Sequence, residues 1–123
     1  MSERVLVTVA GGILTATLNR KDKRNAIDTT MIDALLATLE RADLDATVRV
    51  VAIRGAGHDF CAGMDLNELL ASADQSLEQN RKAALYFAEI FIRMRRLPKP
   101  VVALVHGRAL AGGCGLATAC DLI

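Results

Sequence analysis

Four glycines fall within the ten positions of HGRALAGGCG, residues 106–115, and the chain then enters an apolar, helix-compatible run, LATACDL. Backbone this bare, between a strand and a helix, limits the fold more than any other feature. Side chains are missing where main chain must either pack tightly or approach a ligand. The preceding run VVALVH is strand-like, and Pro98 and Pro100 separate it from the segment before, because proline does not extend a helix.

The same strand-to-loop pattern occurs earlier. Val48 to Ile53, in VRVVAIRG, is almost unbroken in β-branched residues, as expected of a strand covered on both faces in a parallel sheet. The loop GAGHDFCAGMD follows, then a short helical piece, LNELLASA, and a polar surface stretch, SADQSLEQNRK. AALYFAEIFIRMRRL has helical spacing through Leu85, Ala88, Ile92 and Met94. At the start of the chain, Val5 to Val9 and Ile13 to Leu18 flank Gly11 and Gly12 and read as a hairpin. Asp28 or Thr29 can cap a helix whose apolar face is Ile32, Leu35, Leu36 and Leu39. Two antiparallel strands followed by alternating strands and helices define an α/β fold, in which ligands collect at the carboxyl ends of the strands.

Composition removes several function classes. A chain of 123 residues with net charge +1 presents no broad field for nucleic acid or an anionic membrane, and no apolar run is long enough to span one. The N-terminal MSERVLVTVAGG lacks the layout of a secretory signal, so the expectation is a soluble, cytoplasmic protein. Three cysteines, an odd number among apolar and glycine-rich residues, fit reduced, buried thiols. No second pair joins Cys114 and Cys120 to make a zinc site, so no metal is expected.

The two glycine loops are where chemistry is expected. Gly63 permits a sharp turn that leaves the Met64 amide ahead of a helix capped by Asp65. Gly112 and Gly113 strip the entrance of the next helix, so that a ligand oxygen can reach main-chain N–H groups. If the two turns converge, their amides form an oxyanion hole for a carbonyl that becomes an enolate or tetrahedral anion. Spacing alone equally allows phosphate binding or plain tight packing.

TLNRKDKRNAI, FCAGMDLNEL and KPVVALVHGRALAGGCGLATACDLI together resemble three successive motifs of the enoyl-CoA hydratase/isomerase (crotonase) family, in its order and spacing. The resemblance covers nearly the whole chain. It implies a crotonase-like fold of repeated ββα units, of which residues 1–123 would be the N-terminal portion, with further chain expected beyond Ile123. It implies an enzyme that binds acyl-coenzyme A thioesters, stabilises a thioester enolate, and hydrates a 2-enoyl-CoA or shifts its double bond. It implies no prosthetic group, coenzyme A entering as part of the substrate, and a homo-oligomer, a trimer or dimer of trimers, when the chain is full length.

Carried onto this sequence, the family's oxyanion donors fall on the amides of Met64 and Gly112, and its coenzyme A contacts on Arg24, Ala26, Ala62, Asp65 and Leu66. Lys21, Lys23 and Arg24 form a basic cluster suited to phosphates. The first of the two glutamates that hydratases of the family use corresponds to Gly115, a substrate-site position without a side chain, and the second lies beyond Ile123. This departure leaves open a catalytically impaired acyl-CoA-binding or assembly subunit.

Other side chains favour structural roles. His58 reads as an exposed loop residue, His106 as a satisfied structural histidine and Asp121 as a residue that orders the chain after the glycine helix. Glu68, in a first helical turn, reads as solvated, and Cys114 as packed against the sheet. A serine peptidase would need a serine in one of the glycine loops, and a dinucleotide site a third glycine where Phe60 stands.

Overall fold

The computed structural model describes residues 3–123. Val5–Ala10 (β1) and Ile13–Leu18 (β2) form the expected antiparallel hairpin, with Gly11 and Gly12 at φ of 58° and 81°. Positive φ at both central residues is what a two-residue type I′ turn requires. Val50–Gly55 (β3) runs parallel to β2, and Val101–Leu104 (β4) parallel to β3, giving the sheet order β1-β2-β3-β4. β3 starts at Val50 rather than Val48 because the hairpin ends beside it: the N–H groups of Arg49 and Val50 both donate to the Gly12 carbonyl.

Register places apolar side chains in continuous rows. Val9, Leu14, Val51 and Val101 form one row, and Val7, Ala16, Ile53 and Ala103 the next. Leu14, Ala16, Val51, Ile53, Val101 and Ala103 from these rows are buried. Strict alternation along β2 follows from the two-residue period of a strand.

Two long helices belong to the same core. Helix α1, Thr29–Leu44, is capped by Asp28, whose carboxylate accepts from the Met31 N–H, and buries Met31, Ile32, Leu35 and Leu39. A short α2, Leu66–Ala71, and a 3-10 turn at 72–74 lead into α3, Leu77–Arg96. The Tyr86 hydroxyl of α3 donates to Asp33 of α1. α4, Gly112–Thr118, follows β4, and among the described residues no helix is long and apolar enough to cross a membrane.

α3 differs from its sequence expectation in both extent and phase. It begins six residues earlier than the apolar run at Ala83 suggests, because Ser76 and Gln79 close a capping box; Ser76-x-x-Gln79 is the overlooked signal. Its inward stripe is Phe87, Ile90, Phe91 and Met94, whereas Leu85 and Ile92 stay exposed. Both stripes have helical spacing, so periodicity does not choose between them. The edge-to-face contact of Phe87 and Phe91 belongs to the buried one.

Two glycines of α4 separate packing from conformation. A Cβ on Gly113 would lie 2.2 Å from the Cys61 carbonyl oxygen, whereas one on Gly115 would make only an ordinary 3.8 Å contact with the Phe91 ring. Gly113→Ala should therefore cost at least about 1–3 kcal/mol as overpacking against immobile backbone. Gly115→Ala should stabilise by roughly 0.5–1 kcal/mol through reduced backbone entropy in the unfolded chain. Denaturant midpoints of the two variants, moving in opposite directions, would check this.

Candidate functional site

The loops that leave β3 and β4 are stitched together along their length. Cys61 N donates to Arg108 O at 3.1 Å and Leu110 N to Cys61 O at 3.0 Å, pairing the segments in parallel. At their ends the turns meet: a Cβ on Gly63, where φ is 101°, would stand 3.3 Å from the Gly112 nitrogen. The convergence left open by spacing is therefore present. Tight packing, the alternative role for these glycines, applies as well, at Gly113.

Two amides emerge at the junction. Ile27 N donates to Gly63 O at 2.7 Å and Asp65 N to Ile27 O at 2.8 Å, so the peptides on either side of Met64 are held by Ile27. In a parallel pairing of this kind the intervening N–H points away from the partner. Met64 N–H accordingly has no acceptor among the described residues. Gly112 is the first residue of α4, preceded by Ala111 at φ 50° and ψ −119°, a sparsely populated conformation for a residue with a Cβ. Its N–H is also without an acceptor among the described residues, while Gly113 and Gly115 donate to Leu110 and Ala111 carbonyls.

Met64 joins two concavities. A groove of about 420 Å³ is lined by Arg24, Ala26, Ala62, Asp65 and Leu66, the five positions named from sequence, together with Lys23 and Met64. On the other side of Met64 lies a cavity of about 620 Å³, within the size range of small-molecule sites. Its walls are Met64, Glu68 and Leu69 on one side and Asn80, Ala84 and Phe87 of α3 on the other. Gly115 lines neither space and faces Phe91.

Asn25 and Arg20, for which local sequence reading suggested no role, hold the loops in place. Asn25 is fully buried at φ 57°; its Nδ2 donates to the carbonyls of Ala56, Asp59 and Phe60, and its Oδ1 accepts from Arg20 N–H. Arg20 places one guanidinium nitrogen 2.7 Å from Asp65 and 3.4 Å from Asp28, bridging the capping carboxylates of α2 and α1. The Arg20 hydrogen bond, foremost, lowers the Asp65 pKa. The legible signals were an Asn next to a turn, which tolerates the left-handed region, and an Arg two residues after a strand.

Asp59 anchors the second loop to the first. It accepts from the backbone N–H and both ends of the guanidinium of Arg108, which hold its pKa down to about 2. A depressed carboxylate pKa means favourable energy that is fully present above the unfolded value of about 3.9 and is lost as pH falls towards 2. The melting-temperature difference between the wild type and Asp59→Asn should be largest near pH 6 and shrink between pH 4 and pH 2. A constant difference would detach this pair from acid stability.

The remaining sequence assignments divide. His106 Nε2 is hydrogen-bonded to Gly57 O, His58 is exposed, and Asp121 accepts from Val101 N–H, in line with structural readings. Glu68 is not simply solvated: half-buried, it accepts from Thr29 N and Oγ1 at 2.9 and 3.2 Å, because α1 starts opposite it with an unpaired first-turn N–H. Cys114 is exposed rather than packed on the sheet, since the opposite side of α4, Gly113, Leu116 and Ala117, takes that face. Cys61 is buried with its thiol donating to Asn25 O, and burial pushes the half-buried Cys120 thiol up to about 11.

Residues 8–123 match the family model described as Enoyl-CoA hydratase/isomerase. The chain is 36% identical over 123 residues to 2,3-dehydroadipyl-CoA hydratase of Escherichia coli K12, covering 100% of this chain and 46% of that protein. It is 32% identical to 1,2-epoxyphenylacetyl-CoA isomerase of the same organism, covering 100% and 47%. The crystal structure of an enoyl-CoA hydratase/isomerase from Xanthobacter autotrophicus Py2 superposes with a TM-score of 0.92 at 34% identity, covering 98% of this chain and 45% of that one. The chain spans about half the length of the relatives it matches.

Proposed function

Because the chain belongs to the enoyl-CoA hydratase/isomerase family and has its crotonase-like α/β fold, we propose that it contributes the thioester-binding half of an acyl-CoA site whose chemistry passes through an enolate. One observation carries the reading: Met64, with a free amide beside that of Gly112, lies where the 420 Å³ groove meets the 620 Å³ cavity. Coenzyme A lies along the groove, with Lys23 and Arg24 near its phosphates, and the acyl chain enters the cavity. The thioester oxygen then receives both amides.

Withdrawal of an α or γ proton, or attack of water at the β carbon of a 2-enoyl thioester, drives negative charge onto that oxygen. Two preorganised donors in a partly desolvated site stabilise the charge more than they stabilise the neutral carbonyl, which is what lowers the barrier. The donors belong to peptides fixed by Ile27 and by the α4 turn, so they need not reorganise. Gly115 supplies no proton-transfer group.

The test is to give the protein a short 2-enoyl-CoA and a 3-enoyl-CoA and to follow loss of the conjugated thioester in the first and its appearance in the second. Turnover of either substrate supports enolate chemistry. Saturable binding without turnover selects the non-catalytic subunit instead. No binding of any acyl-CoA by folded protein overturns the proposal.

A further inference from the structure

Glu68 is the one charged side chain among the residues lining the larger cavity, and none of those residues is cationic. Its place follows from how the two neighbouring helices are capped. Asp65 takes the first-turn N–H groups of α2, those of Asn67 and Glu68, and Asp28 takes the Met31 N–H of α1. The Thr29 N–H at the start of α1 is left to Glu68, whose two carboxylate oxygens accept from Thr29 N and Oγ1. Thr29 lines the cavity too, so the carboxylate is fixed between two residues of the same wall. A charge acts through space, and its influence on an occupant depends on that position rather than on direct contact.

The charge is not cancelled locally. Asp28 and Asp65 share the guanidinium of Arg20, and Asp28 has Arg4 at 3.0 Å as well, so these two anions are matched by two cations. Glu68 makes no ion pair among the described residues; Thr29 satisfies its lone pairs without bringing charge. Lys23 and Arg24 line the separate groove across Met64. An acyl chain ending in a carboxylate would therefore exchange water for a wall of Leu69, Ala83, Ala84 and Phe87 and meet a like charge there. A neutral chain meets neither penalty, and a cationic end is attracted.

Resting on the acyl-CoA reading of this site, we propose that the cavity selects acyl chains by charge: it admits neutral and cationic chains and rejects those ending in a carboxylate, and Glu68 is the residue that rejects them. An unpaired like charge set against the wrong ligand is a general device of specificity. The phosphates of coenzyme A lie in the groove and are common to every thioester, so they do not enter the comparison. Glu68 is a specificity residue and takes no part in bond making.

Saturated chains isolate recognition from turnover. Dissociation constants would be measured by calorimetry at neutral pH for hexanoyl- and octanoyl-CoA, each beside its ω-carboxy and ω-trimethylammonio analogues. The wild type should bind the carboxy form more weakly than the parent. Glu68→Gln keeps an oxygen for the Thr29 N–H but removes the charge, so the two ratios should move in opposite directions. Affinity of the carboxy form relative to the parent should rise about three- to fivefold, the scale of an interaction between half-exposed charges, and that of the ammonio form should fall by a similar factor. Salt checks the same point without a substitution. Between about 0.01 M and about 1 M salt, where the screening length shortens from roughly 30 Å to 3 Å, the wild-type ratios should approach those of Glu68→Gln. A purely structural role would shift all three ligands together and leave the ratios unchanged, which overturns the inference, as does carboxy binding as tight as the parent at both lengths. Either result leaves the acyl-CoA site intact; failure of every acyl-CoA to bind the folded protein overturns both.

Discussion

Replacing Gly112 by proline should lower turnover of an enoyl-CoA by about 10²–10³-fold, the loss of one oxyanion donor worth roughly 3–4 kcal/mol. Proline is tolerated at the first position of a helix, where the lost N–H had no intrahelical partner. The substitution thus removes the donor without removing a helix hydrogen bond. It also demands an extended residue before it, and Ala111 at ψ −119° departs from that preference, so a melting curve must accompany the kinetics. Gly112→Ala separates the two effects: it keeps the N–H and adds a Cβ 3.1 Å from the movable end of the Phe87 ring. Its loss should stay within about tenfold, a ring displacement worth near 1 kcal/mol. Met64→Leu, which preserves the other amide, should be milder still. If proline and alanine prove equally damaging, the amide of Gly112 is not the group that matters.

Asn25→Ala should be the most destabilising change outside the sheet, costing about 3–5 kcal/mol of folding stability. Three carbonyls, those of Ala56, Asp59 and Phe60, lose their shared donor, and Arg20 N–H loses its acceptor. Each buried group left unpaired costs about 1–3 kcal/mol, with incomplete additivity because the loop can shift. Alanine must also hold φ at 57°, which asparagine tolerates better. Against a typical domain stability of about 5–15 kcal/mol, this removes a large fraction of the total. Asn25→Gly relieves the backbone but not the lost bonds, so most of the deficit should persist. Unfolding free energies from denaturant titration within about 1 kcal/mol of wild type for both variants would show that the loop is held by something else.

The consequence of that bracket reaches the site. Asn25 fixes the segment from Ala56 to Phe60, the Arg24 carbonyl accepts from Ala62 N–H, and Ile27 flanks Met64. Three neighbouring residues of one turn thereby set the path of the loop that carries the Met64 amide, the proposed oxyanion donor. A partly folded Asn25 variant should lose turnover faster than it loses helix content, since local unfolding begins where few apolar contacts compensate.

Much of this molecule was legible before any coordinates. The Gly11–Gly12 turn, the Asp28 and Asp65 caps and the four strand runs rest on local rules: sign of φ, first-turn N–H groups, and β-rich composition. The proposed groove was legible through motif resemblance, and its five named positions do share one surface. Local rules failed at α3. Two apolar stripes with equal spacing compete there, and only packing beside α1 and into the shared core selects Phe87, Ile90 and Phe91, with Met94 common to both, over Leu85 and Ile92.

What sequence determined, then, was the hairpin turn, the Asp28 and Asp65 caps and the cores of the strands, because those depend on the sterics and hydrogen bonding of a few adjacent residues. Tertiary structure alone decided the meeting of Gly63 with Gly112, the grip of Asn25 on a loop thirty-odd residues away, and the burial of the Asn80 oxygen without a partner among the described residues. These are relations between distant segments, set by how the sheet register and helix faces close on one another, and no local pattern encodes which buried polar atom will be left over when they do.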